Sequence, residues 1–216
     1  MRVFSFTEAG GHPINEDAFR VEPHPEDSRL LLIALADGQG GQSGGARAAK
    51  IAVEAALGAA RHTSPMRLRK HPAAWREILH HADEAVLADP DAGFTSLIGF
   101  AAGDDTDLVG ASCGDSAVLV ACDGATQVVT DHQYKNPPVG SGEANFIPFH
   151  GSNGLPRSIL AMTDGVWKYA GWDAVADAAC EMHGQPLIES LAARARLPGS
   201  GQFSDDFTLV VLESGG

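Results

Sequence analysis

Carboxylates recur where apolar stretches of this chain begin or end. Asn15-Glu16-Asp17 immediately precedes the apolar stretch from Ala18. Asp37 closes RLLLIALAD, Asp164 closes SILAMTD, and Asp205-Asp206 precede FTLVVL. Asp115 follows Cys113-Gly114 between two more apolar stretches. An ionised carboxylate at the end of a buried strand loses hydration and needs partners to stay charged. Lysine and arginine are scarce in sequence around these positions, so acids converging on one end of a sheet would repel. Divalent cations resolve such a cluster: carboxylate and carbonyl oxygens at about 2.0–2.6 Å suit magnesium, manganese or calcium.

The glycines near Asp37 fit the same chemistry. In LADGQGGQSGG, Gly38 leaves its carbonyl available beside Asp37, and the later glycines let backbone approach an ion and open a helix. A plainer reading stands beside this one. Asp-Gly is a turn signal, and it occurs at 37–38, 123–124 and 164–165. Asp123-Gly124 reads as a hairpin turn alone. The shared setting of the other acids, rather than any single one, favours a metal site.

Elements must hold these acids in place. Alternation and β-branched content predict strands at Val3–Thr7, Ala18–Glu22, Leu30–Ala36, Ser96–Ala102, Asp107–Ser112, Ala117–Ala121, Thr126–Thr130, Ile159–Thr163 and Thr208–Leu212. Helical spacing predicts helices over Gly44–Ala60, Ala73–Leu87, Ala174–His183 and Pro186–Arg196. The segment Asp131–Arg157, rich in Pro, Gly and Asn, reads as a long loop or short flap. Strands in runs and helices in pairs point to an α+β arrangement of packed sheets flanked by helices.

Composition narrows the function. The 216 residues fit one domain, 44% are hydrophobic and the net charge is −13. That charge repels nucleic acid and anionic membrane but attracts divalent cations. No apolar run approaches the roughly 18 residues of a membrane span, and MRVFSFTEAGG lacks a signal-peptide core. Cys113, Cys122 and Cys180, without CxxC spacing, read as reduced thiols of a cytoplasmic protein. Neither a P-loop nor a strand–GxGxxG–helix unit is present. Ser43 sits in G-Q-S-G-G without the context of a nucleophile elbow.

The ordered motifs GHPINEDAF, IALADGQGGQSGGARAA, FTSLIGF, GASCGDSAVLVA, AMTDGVW and SDDFTLVVL resemble those of the type 2C metal-dependent serine/threonine protein phosphatases. The likeness runs from about residue 11 to 212. It implies a single catalytic domain over 1–216, a four-layer α-β-β-α sandwich with a binuclear centre at one end. By position, Asp37 would bridge two ions of Mn2+ or Mg2+, and the Gly38 carbonyl would bind one of them. Asp164 and Asp205 would bind the other ion, and Glu16 and Asp17 would hold metal-bound waters or ligate directly. Asp115 matches the acid that binds a weaker third ion in some members, and Asp206 would support from behind. The implied reaction is direct attack of a metal-bridging hydroxide on phosphoserine or phosphothreonine, with Asp37, Asp164, Asp205 and His12 as the catalytic set.

Two positions depart from the family pattern. The usual phosphate-binding arginine, three residues before Asn-Glu-Asp, is here His12, which lacks the guanidinium fork. The phosphate contact passes to His12 or to another residue such as Arg2, Arg20 or Arg47. A histidine found after Asp-Gly in many eukaryotic members is here Gln39, as it often is not histidine in bacterial ones. The expected partner is a phosphorylated protein, opposite a kinase, met by a monomer through a short flap at about 131–157. A catalytically weak or inactive regulator of the same fold that binds a phosphoprotein is the alternative, and a small-molecule phosphatase is a third.

Overall fold

The computed structural model describes residues 1–39, 44–103, 106–122, 124–131, 135–151 and 158–214, with backbone alone at 106–107. Gly40, Gly41, Gln42 and Ser43 of the glycine-rich stretch, Asp123 of the expected hairpin turn, and His132 lie outside them.

In chain order the strands are β1 (Arg2–Glu8), β2 (Asp17–His24), β3 (Asp27–Asp37), β4 (Leu97–Gly103), β5 (Thr106–Cys113), β6 (Ala117–Cys122), β7 (Ala125–Val128), β8 (Ile147–Gly151), β9 (Ser158–Met162) and β10 (Phe207–Glu213). The helices are α1 (Gly45–Arg61), α2 (Pro65–Lys70), α3 (Pro72–Leu87), α4 (Asp164–Ala170), α5 (Trp172–Glu181) and α6 (Gly184–Ala195). Antiparallel pairing builds two five-stranded sheets, ordered β1-β10-β9-β6-β7 and β2-β3-β4-β5-β8.

Side-chain alternation sorts residues into three cores and so makes four layers. Along β3, Leu30, Leu32, Ala34 and Ala36 pack toward α1 and α3 with Trp75 and Leu79. The intervening Ile33 and Leu35 pack between the sheets with Phe100, Val118, Ile159 and Val210. The other sheet presents Leu160, Met162, Leu209 and Val211 to Val175, Leu187 and Leu191 of α5 and α6. Small residues on α1, Ala48, Ala49, Ala52, Ala56 and Ala60, are fully buried and let that helix lie close to its sheet.

The expected α-β-β-α sandwich is present, and three elements join those expected. Helix α2 is short and basic, PMRLRK, with one buried side chain, Leu68, so it carries no periodic stripe. Helix α4 begins at Asp164 itself, where Asp-Gly reads as a turn. Strand β8 lies inside the segment expected to be irregular, held by its ladder to β5 from Leu108↔Gly151 to Ser112↔Ile147. No helix among the described residues is long and apolar enough to cross a membrane. Cys113, Cys122 and Cys180 are thiols.

Candidate metal centre

One end of the sandwich gathers the acids. Asp17 opens β2, Asp37 closes β3, and the two are register partners across the ladder. Directly opposed residues share a face, so pairing between strands brings these two carboxyls together. Asp164 starts α4 immediately after β9, and Asp205 and Asp206 precede β10. Asp115 lies in the tight connection from β5 to β6.

A cleft of about 290 Å³ opens here, and His12, Asp37, Gly38, Asp115, Asp164 and Asp205 of the expected site line it. Carboxylate oxygens of Asp37, Asp115 and Asp164 lie within 4.8 Å of one another. Glu16 and Asp17 stand behind this wall. The carboxyl of Glu16 lies against Gly45 at the start of α1, and its carbonyl accepts the Gly38 N–H at 3.1 Å.

The backbone around Asp37 is fixed by the two residues that precede β4. The Thr95 hydroxyl and the Ser96 N–H both donate to the Asp37 carbonyl, each at 2.8 Å, and the Asp37 N–H donates to Ser96 Oγ at 3.1 Å. Gly38 is required by crowding: a Cβ there would lie 2.6 Å from the Gly45 carbonyl carbon and 2.7 Å from the Glu16 carbonyl oxygen. Asp206 is buried and ties the loop before β2 to the strand end. It accepts the N–H of Gly10 at 2.9 Å and of Glu16 at 2.5 Å. Asp205 Oδ1 accepts the Asp206 N–H at 3.0 Å.

The electrostatics suit a cation. Burial raises the Asp37 carboxyl well above the ordinary range, and Asp17, Asp164, Asp115 and Asp205 add to the rise. Asp17 is pushed up to about 7 by burial, against hydrogen bonds from Thr208 and Thr163. Thr163 donates to Asp17 Oδ2 at 2.9 Å, whereas Oδ1 is buried with no hydrogen-bond partner among the described residues. A buried carboxylate oxygen lacking a donor is expensive in a protein interior. Hard oxygen donors in this number, two of them from opposed strands, fit a divalent ion.

Three cationic side chains line the same cleft: His12, Lys135 and Lys168. His12 Nδ1 lies 2.7 Å from the Ile14 carbonyl and 3.9 Å from Asp206 Oδ1. Burial disfavours its charge, yet the Ile14 carbonyl with Asp206, Glu16 and Asp205 outweighs it and raises the His12 pKa. Lys135 donates to Asp115 Oδ2 at 2.7 Å, and Lys168 pairs with Asp164 one helical turn earlier. Burial opposes charge on Asp115, but Lys135 and Lys168 hold its carboxyl below the usual range. Asp164 is raised, its burial outweighing Lys168.

The arginines named from the sequence are engaged elsewhere. Arg2 pairs with Glu213 at 3.0 Å, Arg20 with Glu22 at 3.1 Å and Arg47 with Asp89 at 2.7 Å. None of them lines the cleft. Nothing in the sequence alone marks the two lysines; the Asp164/Lys168 spacing signals a shared face only once α4 is known to start at Asp164.

The profile of the Protein phosphatase 2C family matches residues 9–198. The chain belongs to this family. Serine/threonine phosphatase Stp1 from Staphylococcus aureus superposes with a TM-score of 0.80 at 15% identity, over 99% of this chain and 95% of that one. The PPM Ser-Thr phosphatase MsPP from Mycobacterium smegmatis, solved with cacodylate, gives 0.69 at 20% identity over 100% and 99%. RsbX, solved with magnesium, gives 0.72 at 12% identity over 97% and 92%. At these identities the solved structures establish the fold shared by this 2C-family chain. No curated protein matches it in sequence.

Proposed function

We propose that this 2C-family chain is an active metal-dependent phosphatase that hydrolyses phosphoserine and phosphothreonine on a protein partner. The single observation that carries the reading is the convergence of Asp37, Asp115 and Asp164 within 4.8 Å, at the end of a sandwich of this family. Two manganese or magnesium ions, when bound, supply an activated water and neutralise charge on the phosphoryl oxygens. Asp37, Asp164 and Asp205, with the Gly38 carbonyl, are the residues to hold them, and Glu16 and Asp17 support from the β2 side. A weaker third ion would draw on Asp115.

The chain's own groups have further tasks. Thr95 and Ser96 keep the Asp37 backbone from shifting, and Asp206 keeps Glu16 in register with the strand end. His12 stands at the cleft, with its charge favoured by the acids around it, and donates to the substrate from there. Lys135 and Pro138, in the segment before β8, line the cleft, which supports a flap-like loop there beside an open site. An open site suits a phosphorylated loop of a folded partner, such as a kinase target in the cytoplasm.

His12 in place of arginine favours one second reading: a regulator that binds a phosphoprotein with little turnover. Phosphate release from a phosphoserine peptide, a nucleotide and a sugar phosphate in Mn2+ separates these possibilities. The phosphatase reading expects turnover of the peptide above the small molecules, reduced by at least about 100-fold in Asp37→Asn. Full retention of release by Asp37→Asn would rule the mechanism out.

A further inference from the structure

Two ammonium groups meet at one carboxylate oxygen on the rim of the cleft. Lys135 Nζ lies 2.7 Å and Lys168 Nζ 3.8 Å from Asp115 Oδ2. They reach it from opposite sides of the sequence: Lys135 from the segment between β7 and β8, and Lys168 from α4. Resting on the phosphatase reading, we propose that Lys135 and Lys168 together hold the substrate's phosphoryl oxygens, replacing the arginine absent at position 12.

Lys168 also pairs with Asp164, so two ammoniums face two carboxylates, and their charge is left for a further anion once divalent cations engage those acids. A phosphate dianion is the complement of such a pair, and the ammonium is an effective point-charge phosphate binder. Each ammonium has three N–H donors, more than its carboxylate contacts consume. Both side chains are accessible, Lys135 at 57% and Lys168 at 40%.

The scaffold fixes where this charge sits. Trp167 donates its indole N–H to the Asp115 carbonyl at 3.0 Å, and Lys168 Nζ stands 5.6 Å from the Trp167 ring centre. One side chain therefore fastens the Asp115 turn and flanks Lys168. Trp172 stacks on Trp167 at 5.3 Å and 15°, which stiffens that corner. The other cations have less to offer a phosphate. The Nδ1 of His12 is directed at Ile14, which leaves one ring nitrogen for a ligand. Arg2, Arg20 and Arg47 are paired with acids outside the cleft. A plainer role exists for the lysines, namely balancing Asp115 and Asp164, and it makes a different prediction: changed metal affinity with unchanged phosphate affinity.

Equilibrium dialysis of inorganic phosphate against the Mn2+-loaded protein decides between them. Wild type, Lys135→Gln, Lys168→Gln and the double variant are compared, with bound Mn2+ counted by titration calorimetry and p-nitrophenyl phosphate kinetics run alongside. We expect each single variant to weaken phosphate binding about tenfold and the double variant about 100-fold. KM should rise in parallel, bound Mn2+ should not change, and Lys168→Arg should restore most of the affinity. A double variant within twofold of wild type overturns the proposal. So does loss of phosphate only in step with loss of Mn2+, or a wild type that binds no phosphate. Lysine-dependent phosphate binding without turnover would keep the lysines' role and remove the phosphatase reading. Turnover with phosphate binding unchanged in the variants would do the reverse.

Discussion

Asp17 carries the clearest residue-scale consequence. Its carboxyl ionises near 7 in the fold against an ordinary value of 3.8. Between those values the folded chain keeps a proton that the unfolded chain releases. Its contribution is therefore most favourable below about pH 4 and is lost as pH rises toward 7. Asp37 and Asp164 shift in the same direction. Carboxyls with lowered values, such as Glu22 beside Arg61 and Asp89 beside Arg47, act in the acid range below this window. The melting temperature of the chelator-treated protein should fall between pH 5 and 7.5, by an amount worth a few kcal/mol, about 1.4 per pKa unit. Asp17→Asn should flatten that fall; an unchanged slope in the variant would contradict the assignment. Asp206 is tested differently. Asp206→Ala would strand the N–H groups of Gly10 and Glu16, and chemical denaturation should show a loss of about 2–3 kcal/mol.

At the scale of elements, Asp83 anchors the approach to the site. It is buried on α3 and accepts the N–H groups of Gly140 at 2.6 Å, Gly142 at 3.2 Å and Ala144 at 3.3 Å. Asp83→Ala should cost at least about 2 kcal/mol by denaturant unfolding and raise proteolysis near 135–145. A wild-type cleavage pattern would show that the segment is held by other contacts. Helical spacing marks position 83 as inward-facing between Ala82 and Val86, but only the folded loop reveals what the carboxylate caps. The strands were legible because their apolar runs are long and end abruptly in acids, as RLLLIALAD does. Strand β8 was not, because IPFHG carries a proline and takes its extended form from the ladder to β5. Helix α4 was hidden by Asp164-Gly165, where a turn and a helix start look alike in sequence. With no visible helix start there, the sequence does not show the relation of Lys168 to Asp164, and the lysines that line the cleft are less conspicuous than its arginines. The acids stand out in sequence beside strand ends and tight turns, but position alone leaves a turn and a metal site equally open, and the resemblance to the family is what suggests their roles.

For the whole molecule, the sandwich acts as a frame that brings several carboxylates to one end, in a chain whose net charge is −13. Such a frame stores repulsion that a bound cation relieves. Mn2+ at 1,000 times its dissociation constant should stabilise the fold by about 4 kcal/mol, seen as a chelator-reversible rise in melting temperature. Asp164→Asn should lose most of that rise. The most direct test of the central claim is p-nitrophenyl phosphate hydrolysis as Mn2+ and Mg2+ are titrated in, for wild type beside Asp164→Asn. The account predicts turnover that appears with metal, saturates, and falls by at least about 100-fold in the variant. Turnover that is independent of metal, or absent in a wild type that binds the ions, would contradict it.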